Sequence, residues 1–348
     1  MPLAVNYPGA HMLAEIAEQA VIFDRWAASD GFIGSSELDR ILDFDPCLVL
    51  TIARGTSDRA AEYGKYLFDI LLGIPTGSTS PSTVTLFGAT PKAAGALAIG
   101  VSQSGESPDI VAEAKALRDG GALLLAVTNA PRSPLAEQAD IVINVDVGLE
   151  LAVAATKSFS AQCLALADIV TGMAGVAIDR ISLAKGARAI LESDAPANAA
   201  NVISAALDDC GFIICLGRGP NTPMAQEGAL KIMETVGVPV LGYSMADFAH
   251  GPRTLIRSGV PIIVATPPGK IPDSFRATIR ELEYEGAVLV SIGDSTLPGF
   301  NVPIVGESNL FTPILQGIAL HKIAVSLSIL KGLNPDSPRS LTKVTRTT

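Results

Sequence analysis

Along residues 10–29 the apolar positions Leu13, Ile16, Ala17, Ala20, Phe23 and Trp26 recur three or four residues apart, which predicts an amphipathic helix packed on a neighbour. The pattern then changes to short, unbroken apolar runs. The first, Cys47 to Ile52, ends in Arg54-Gly55-Thr56-Ser57, and the helical pattern that follows closes near Gly73-Ile74-Pro75. A second, Ala96 to Val101, ends in Ser102-Gln103-Ser104-Gly105-Glu106-Ser107, with a helix predicted from Pro108 to Asp119. Ala122 to Val127 runs into Thr128-Asn129, and Ile141 to Val145 makes a fourth run. Strands that are apolar on both faces and alternate with helices predict a parallel sheet covered on both sides, an α/β fold.

The same punctuation returns 164 residues later. Arg54-Gly55 matches Arg218-Gly219, Gly64 matches Gly228, Gly73 matches Gly237, Pro75 matches Pro239 and Gly105 matches Gly269. The apolar run at 122–127 reappears near 287–292. Two copies are too few for a solenoid, so the repeat reads as duplication of one doubly wound domain. The expected organisation is a leader helix over 1–37, a first domain over 38–180, a second over 195–333 and a polar tail over 334–348. The join falls around 175–200, where Ser193-Asp194-Ala195-Pro196 interrupts a helical pattern.

Composition narrows the function classes. Of 348 residues, 48% are hydrophobic but only 5% aromatic, so the core should be aliphatic. A formal net charge of −10 without a basic stripe argues against a nucleic-acid partner, though not against a small phosphate held by backbone amides. Cys47, Cys163, Cys210 and Cys215 lack metal-type spacing, so neither a metal nor another cofactor is expected, and unpaired thiols suit a cytoplasmic location. No basic and apolar leader marks a signal peptide. The most apolar late stretch, Thr312 to Gly332, contains Gln316, His321 and Lys322, and reads as a buried helix rather than a membrane span.

Four segments carry candidate chemistry. Ser102 to Ser107 follows a strand and opens a helix, where hydroxyls, the Gly105 backbone and the helix N-terminus would cradle an anion without a lysine. A serine-rich turn that merely caps the helix would use the same residues. Thr56 and Ser57 hold the matching place after the first strand, and could face sugar hydroxyls or simply cap a turn. Lys231 and Glu234, three apart on a helix beginning near Pro223, form either a proton-transfer pair or a surface salt bridge. His250, in a Gly-Pro loop, is either an acid–base candidate or a structural histidine, and Pro335 and Pro338 keep the tail out of a helix, so that it is either disordered or extended with Lys343 free to reach into a site.

Taken together these motifs resemble the sugar isomerase (SIS) family, and most closely the isomerase half of glutamine–fructose-6-phosphate amidotransferase. The resemblance spans nearly the whole chain and rests on Gly55-Thr56-Ser57, Ser102 to Ser107, Glu150 with Val153-Ala154-Ala155-Thr156-Lys157, Gly228-Ala229-Leu230-Lys231 with Glu234, His250-Gly251-Pro252, and Pro338-Arg339 with Lys343. It implies two tandem SIS domains of flavodoxin-like three-layer architecture. It also implies that Ser102, Gln103, Ser104 and Ser107 bind a sugar phosphate, and that Thr56, Ser57 and the Val153–Ala155 backbone line the sugar. Glu234 would move a proton between C1 and C2, Lys231 would support it, and His250, from the neighbouring subunit of a homodimer, would open the ring. Lys343 would contact the open-chain ketose. Arg54, Ala155 and Asp247 stand where the synthases carry Cys, Ser and Glu.

A synthase also needs a glutaminase domain, whereas about 40 residues precede the first strand here. The expectation is therefore a phosphosugar isomerase working as a deaminase, taking glucosamine 6-phosphate to fructose 6-phosphate and ammonia. Rival readings are a related enzyme acting on another amino or glycated sugar phosphate, or running synthesis with free ammonia, and a non-catalytic sugar-phosphate sensor. The sensor would need no Glu234, His250 or Lys343. The expected partner is a phosphorylated hexose or hexosamine, with no nucleic acid and no membrane.

Overall fold

A computed structural model describes residues 7–269, 271–306, 309–339 and 341–343. The chain parts into two compact units, one of residues 24–150 and 157–179, the other of residues 7–23, 151–156 and 180–343. Helix α1 (Ala10–Ala27) contributes residues to both.

In the first of these units α2 (Ser35–Phe44) precedes β1 (Leu48–Ile52), α3 (Gly55–Leu67) and the short β2 (Thr76–Ser78). There follow α4 (Ser82–Thr85), β3 (Ala96–Ser102), α5 (Pro108–Asp119), β4 (Leu123–Thr128), α6 (Pro134–Gln138), β5 (Ile141–Asn144) and α7 (Lys157–Ala174). The strands form an all-parallel sheet in the order β2-β1-β3-β4-β5. Every residue of β3 and β4 is buried, as their unbroken apolar runs require. Strand order reverses between β1 and β3, and the crevice beyond their carboxyl ends is where open α/β sheets take ligands. The helix after β1 does not stop at Leu67 but widens into a π-helical turn, Phe68–Leu72, before Gly73 ends it with φ +65°.

The second unit repeats the plan. Helices α8 (Arg180–Glu192) and α9 (Ala195–Cys210) meet at the predicted interruption, then β6 (Ile213–Gly217), α10 (Thr222–Val236), β7 (Val240–Ser244) and α11 (Met245–Ala249) follow. Next come β8 (Pro261–Ala265), α12 (Asp273–Tyr284), β9 (Val288–Gly293), β10 (Phe300–Pro303) and α13 (Pro313–Leu330). The parallel order β7-β6-β8-β9-β10 reproduces that of the first sheet. Helix α13 has the length and hydropathy of a membrane span, yet 78% of it is buried in the protein. It packs against α8, α9 and α10, as the polar residues along it led us to expect. Gly228 of α10 allows that approach, since a Cβ there would lie 2.5 Å from Cδ2 of Leu320.

Candidate active site

In the first unit the sequence-predicted loop lies at the β1/β3 switch point. Gly105 has φ +63°, and a Cβ on it would fall 2.0 Å from Oγ of Ser133, so the turn admits only glycine. The Gly105 amide donates to Ser102 Oγ at 3.1 Å and the Glu106 amide to Ser104 Oγ at 3.3 Å. Each of these oxygens accepts, which leaves its own proton to be given outward. Ser107 is the N-cap of α5, yet its side chain makes no capping bond. The simple cap reading therefore fails for Ser107. Among the described residues the side chains of Gln103, Thr56 and Ser57 also lack a hydrogen-bond partner, and all three are partly exposed. Hydroxyls, an amide and the N-terminus of α5 thus stand ready at the carboxyl end of the first sheet, a set suited to a phosphate.

Arg54, just beyond β1, places Nε 3.1 Å from Oδ2 of the buried Asp109 in the first turn of α5. One turn on, burial pushes the Glu113 carboxyl above its ordinary range, against the opposing pull of Thr79 and Arg54. This ion pair ties the start of α3 to the first turn of α5 and was not foreseen from the sequence.

In the second unit Lys231 is fully buried, which rules out a surface salt bridge. Its ammonium contacts the carboxylate of Glu234, which is 21% exposed, and lies 3.7 Å from Oε1 of the buried Glu227. That same oxygen is 3.2 Å from Nε2 of His321, fully buried on α13. Glu227 and His321 escaped the sequence reading. The i, i+4 spacing of Glu227 and Lys231 was a visible signal, whereas His321 lies 94 residues from its partner. Glu234 opens on a cavity of about 630 Å³, lined also by Met233, Gly237, Asn334, Ser337, Arg339 and Leu341.

The tail is built into this unit rather than loose. Asn334 Oδ1 accepts from the Gly9 amide, and the Asp336 carboxylate accepts from the amides of His11 and Met12, at the start of α1. Lys343, expected to be free, instead donates from Nζ to the Ala152 carbonyl at 2.6 Å, beside Val153 and Ala155. The Val153 amide points to the Asp336 carbonyl, and the Leu151 and Ala152 amides go to Glu15. Tail and 151–156 segment are therefore one construction. His250 sits exposed at the end of α11, with no side-chain partner among the described residues, and is not among those lining the Glu234 cavity.

The sequence profile described as "SIS domain" matches residues 48–171 and 206–298. The glutamine–fructose-6-phosphate aminotransferase [isomerizing] of Gloeobacter violaceus is 34% identical over 318 residues, covering 85% of this chain and 51% of that protein. The chain thus spans about half the length of the curated relatives it matches. Among solved structures, the C-terminal domain of glucosamine-fructose-6-phosphate aminotransferase from Francisella tularensis superposes with a TM-score of 0.81 at 23% identity, covering 96% of this chain and 99% of that one. Glucosamine-6-phosphate deaminase from Thermotoga maritima gives 0.77 at 20% identity, covering 97% and 100%. At these identities both likenesses speak for the fold alone.

Proposed function

The chain belongs to the SIS domain family, and from that membership we propose that it is a phosphosugar isomerase acting as a deaminase on glucosamine 6-phosphate. The observation that carries the reading is Glu234, a carboxylate open to a cavity while its ammonium partner is wholly buried. An ion pair kept only for stability has no need of an exposed oxygen beside a 630 Å³ space.

Ser102, Gln103, Ser104 and Ser107 bind the phosphate, with Thr56 and Ser57 and the Val153–Ala155 backbone directed to the sugar. His250, supplied by the neighbouring subunit of a homodimer, opens the pyranose ring. Glu234 then removes the proton from C2 of the open-chain aldehyde and returns it to C1. A second proton passes from the C2 amine to O1, so the product of this shift carries a hydroxymethyl at C1 and an imine at C2. Water adds to the imine and ammonia leaves, giving fructose 6-phosphate. Lys231 holds the carboxylate in place, and Lys343 serves the open-chain substrate.

Glu234→Gln keeps the shape and removes the base. Hexosamine 6-phosphate binding should survive while ammonia release falls about 10²–10⁴-fold. In deuterated water the unaltered protein should place deuterium at C1 of the product. A protein that binds glucosamine 6-phosphate yet releases no ammonia and exchanges no carbon-bound hydrogen is not this enzyme, and the sensor reading would then take its place.

A further inference from the structure

Beyond the carboxyl ends of β6 and β8 the second unit holds another cavity, of about 490 Å³, that shares no lining residue with the one beside Glu234. We infer that it is a second ligand site and takes a nucleoside monophosphate, with the phosphate on Arg218 and the base against the apolar wall. The inference is independent of the reading of Glu234.

The cavity lies where this fold takes ligands. Strand order in the second sheet reverses between β6 and β8, as it does between β1 and β3 in the first. The crevice is therefore the repeat's counterpart of the one at Ser102 to Ser107, and it is furnished differently. Thr266, Pro267 and Pro268 stand at the positions of Ser102, Gln103 and Ser104, so the serine hydroxyls are replaced. The second copy offers a guanidinium instead. In the first copy Arg54 and Asp109 are ion-paired at 3.1 Å. The residues 164 positions on, Arg218 and Asp273, are again an arginine and an aspartate. Here, though, Arg218 lines the cavity with no side-chain partner among the described residues, and Asp273 is exposed and outside the lining. Arg253, the other arginine on the wall, is already engaged by Glu281 and Glu285. Arg218 is thus left to hold an anion, and its planar fork matches a phosphate through two parallel N–H bonds.

The rest of the lining selects the body of the ligand. Met245, Phe275, Pro267 and Pro272 present apolar surface. A sugar phosphate would turn its hydroxyls toward these side chains unpaired, a cost that the flat face of a nucleobase avoids. Asn221, only 5% exposed, donates from Nδ2 to the Arg218 carbonyl at 3.0 Å and keeps Oδ1 without a hydrogen bond. It lines the same cavity, and an amine or hydroxyl on the occupant would supply the missing donor. The volume falls within the range of about 300–1,000 Å³ that small-molecule sites span.

Isothermal titration of the full chain with adenosine monophosphate, adenosine and inorganic phosphate tests this. The monophosphate should bind at least about tenfold more tightly than either of the others, since each carries only half of what is recognised. Arg218→Gln, a change at an exposed side chain, should weaken the monophosphate about tenfold or more and leave adenosine within about twofold. Ala246→Leu, which fills the cavity, should weaken both. Ser104→Ala and Glu234→Gln should leave nucleotide binding unchanged, so a failure of the proposed reaction and a failure of this inference are told apart. A monophosphate that binds no better than inorganic phosphate overturns the inference. So does one whose binding is lost in Ser104→Ala and kept in Arg218→Gln, which would put the nucleotide in the first unit. If neither cavity variant folds, photolabelling of the unaltered protein with azido-adenosine monophosphate decides. Labelled peptides within residues 218–278 are the expected result, and labelling confined to other segments is the contrary one.

Discussion

At the scale of single residues, the loop after β3 is governed by what each hydroxyl still has to give. Ser104 Oγ accepts from the Glu106 amide at 3.3 Å, which leaves its own proton to be donated. Removing such a donor to a dianion costs about 1.5–3 kcal/mol, roughly ten- to a hundredfold in affinity. Ser104→Ala should therefore weaken fructose 6-phosphate and glucosamine 6-phosphate together, by similar factors, in isothermal titration. An unchanged affinity for both would take this loop out of the site. The oxygen of Ser104 also anchors the loop itself, so a small loss of thermal stability should accompany the change. That loss and the binding loss are separable, because only the second depends on the phosphate.

Between elements, the contact of α10 with α13 brings Glu227 to His321, and a glycine makes it possible. A Cβ on Gly228 would sit 2.5 Å from Leu320 Cδ2 and 3.1 Å from its Cγ, and Leu320 is fully buried. Gly64 holds the same place in α3, where the nearest atom of Leu166 would be 3.1 Å away. Overpacking costs about 1–3 kcal/mol, against about 0.5–1 kcal/mol gained when alanine replaces glycine inside a helix. Gly228→Ala should thus lower stability by about 1–2 kcal/mol in urea unfolding, and Gly64→Ala should leave it within about 0.5 kcal/mol. Equal effects at the two sites would mean that the α10–α13 approach is not tight. Much at this scale was legible in advance. Strands β1, β3, β4, β5 and β9 were marked by apolar runs, β2 with its sequence Thr76-Gly77-Ser78 was not, and the glycine register at 55/219, 64/228 and 105/269 carried over to two sheets of identical strand order. What stayed hidden depends on meetings between distant segments. His321 read as a polar interruption in an apolar helix, because nothing local says that it meets Glu227. The tail read only as an extended polar segment, because its anchors are amides at the start of α1, more than 300 residues away. The π turn at Phe68–Leu72 has no apolar period of its own to announce it.

For the whole molecule, the two copies of the repeat differ in the side chains they carry at matching positions. In the second sheet the positions matching Ser102, Gln103 and Ser104 are Thr266, Pro267 and Pro268, so two of the three polar side chains are gone. The second unit carries instead Lys231 and Glu234, where the first has Leu67 and Ile70. His250 belongs to neither set: it is exposed, follows α11 and is followed by Gly251 with φ +142°, a backbone conformation nearly closed to other residues. An exposed imidazole on such a loop can serve a second copy of the chain, and that is testable without any geometry between subunits. Chains carrying His250→Ala and chains carrying Glu234→Gln should each be inactive as homodimers. In a heterodimer, one site then combines both lesions while the other is intact, so each purified heterodimer should show about half the wild-type turnover. Rescue of that size, read as ammonia release from tagged and verified heterodimers, is the expected result. If verified heterodimers stay inactive, His250 acts in its own subunit or outside the chemistry, and if the mixed chains never associate, the proposed homodimer is wrong as well.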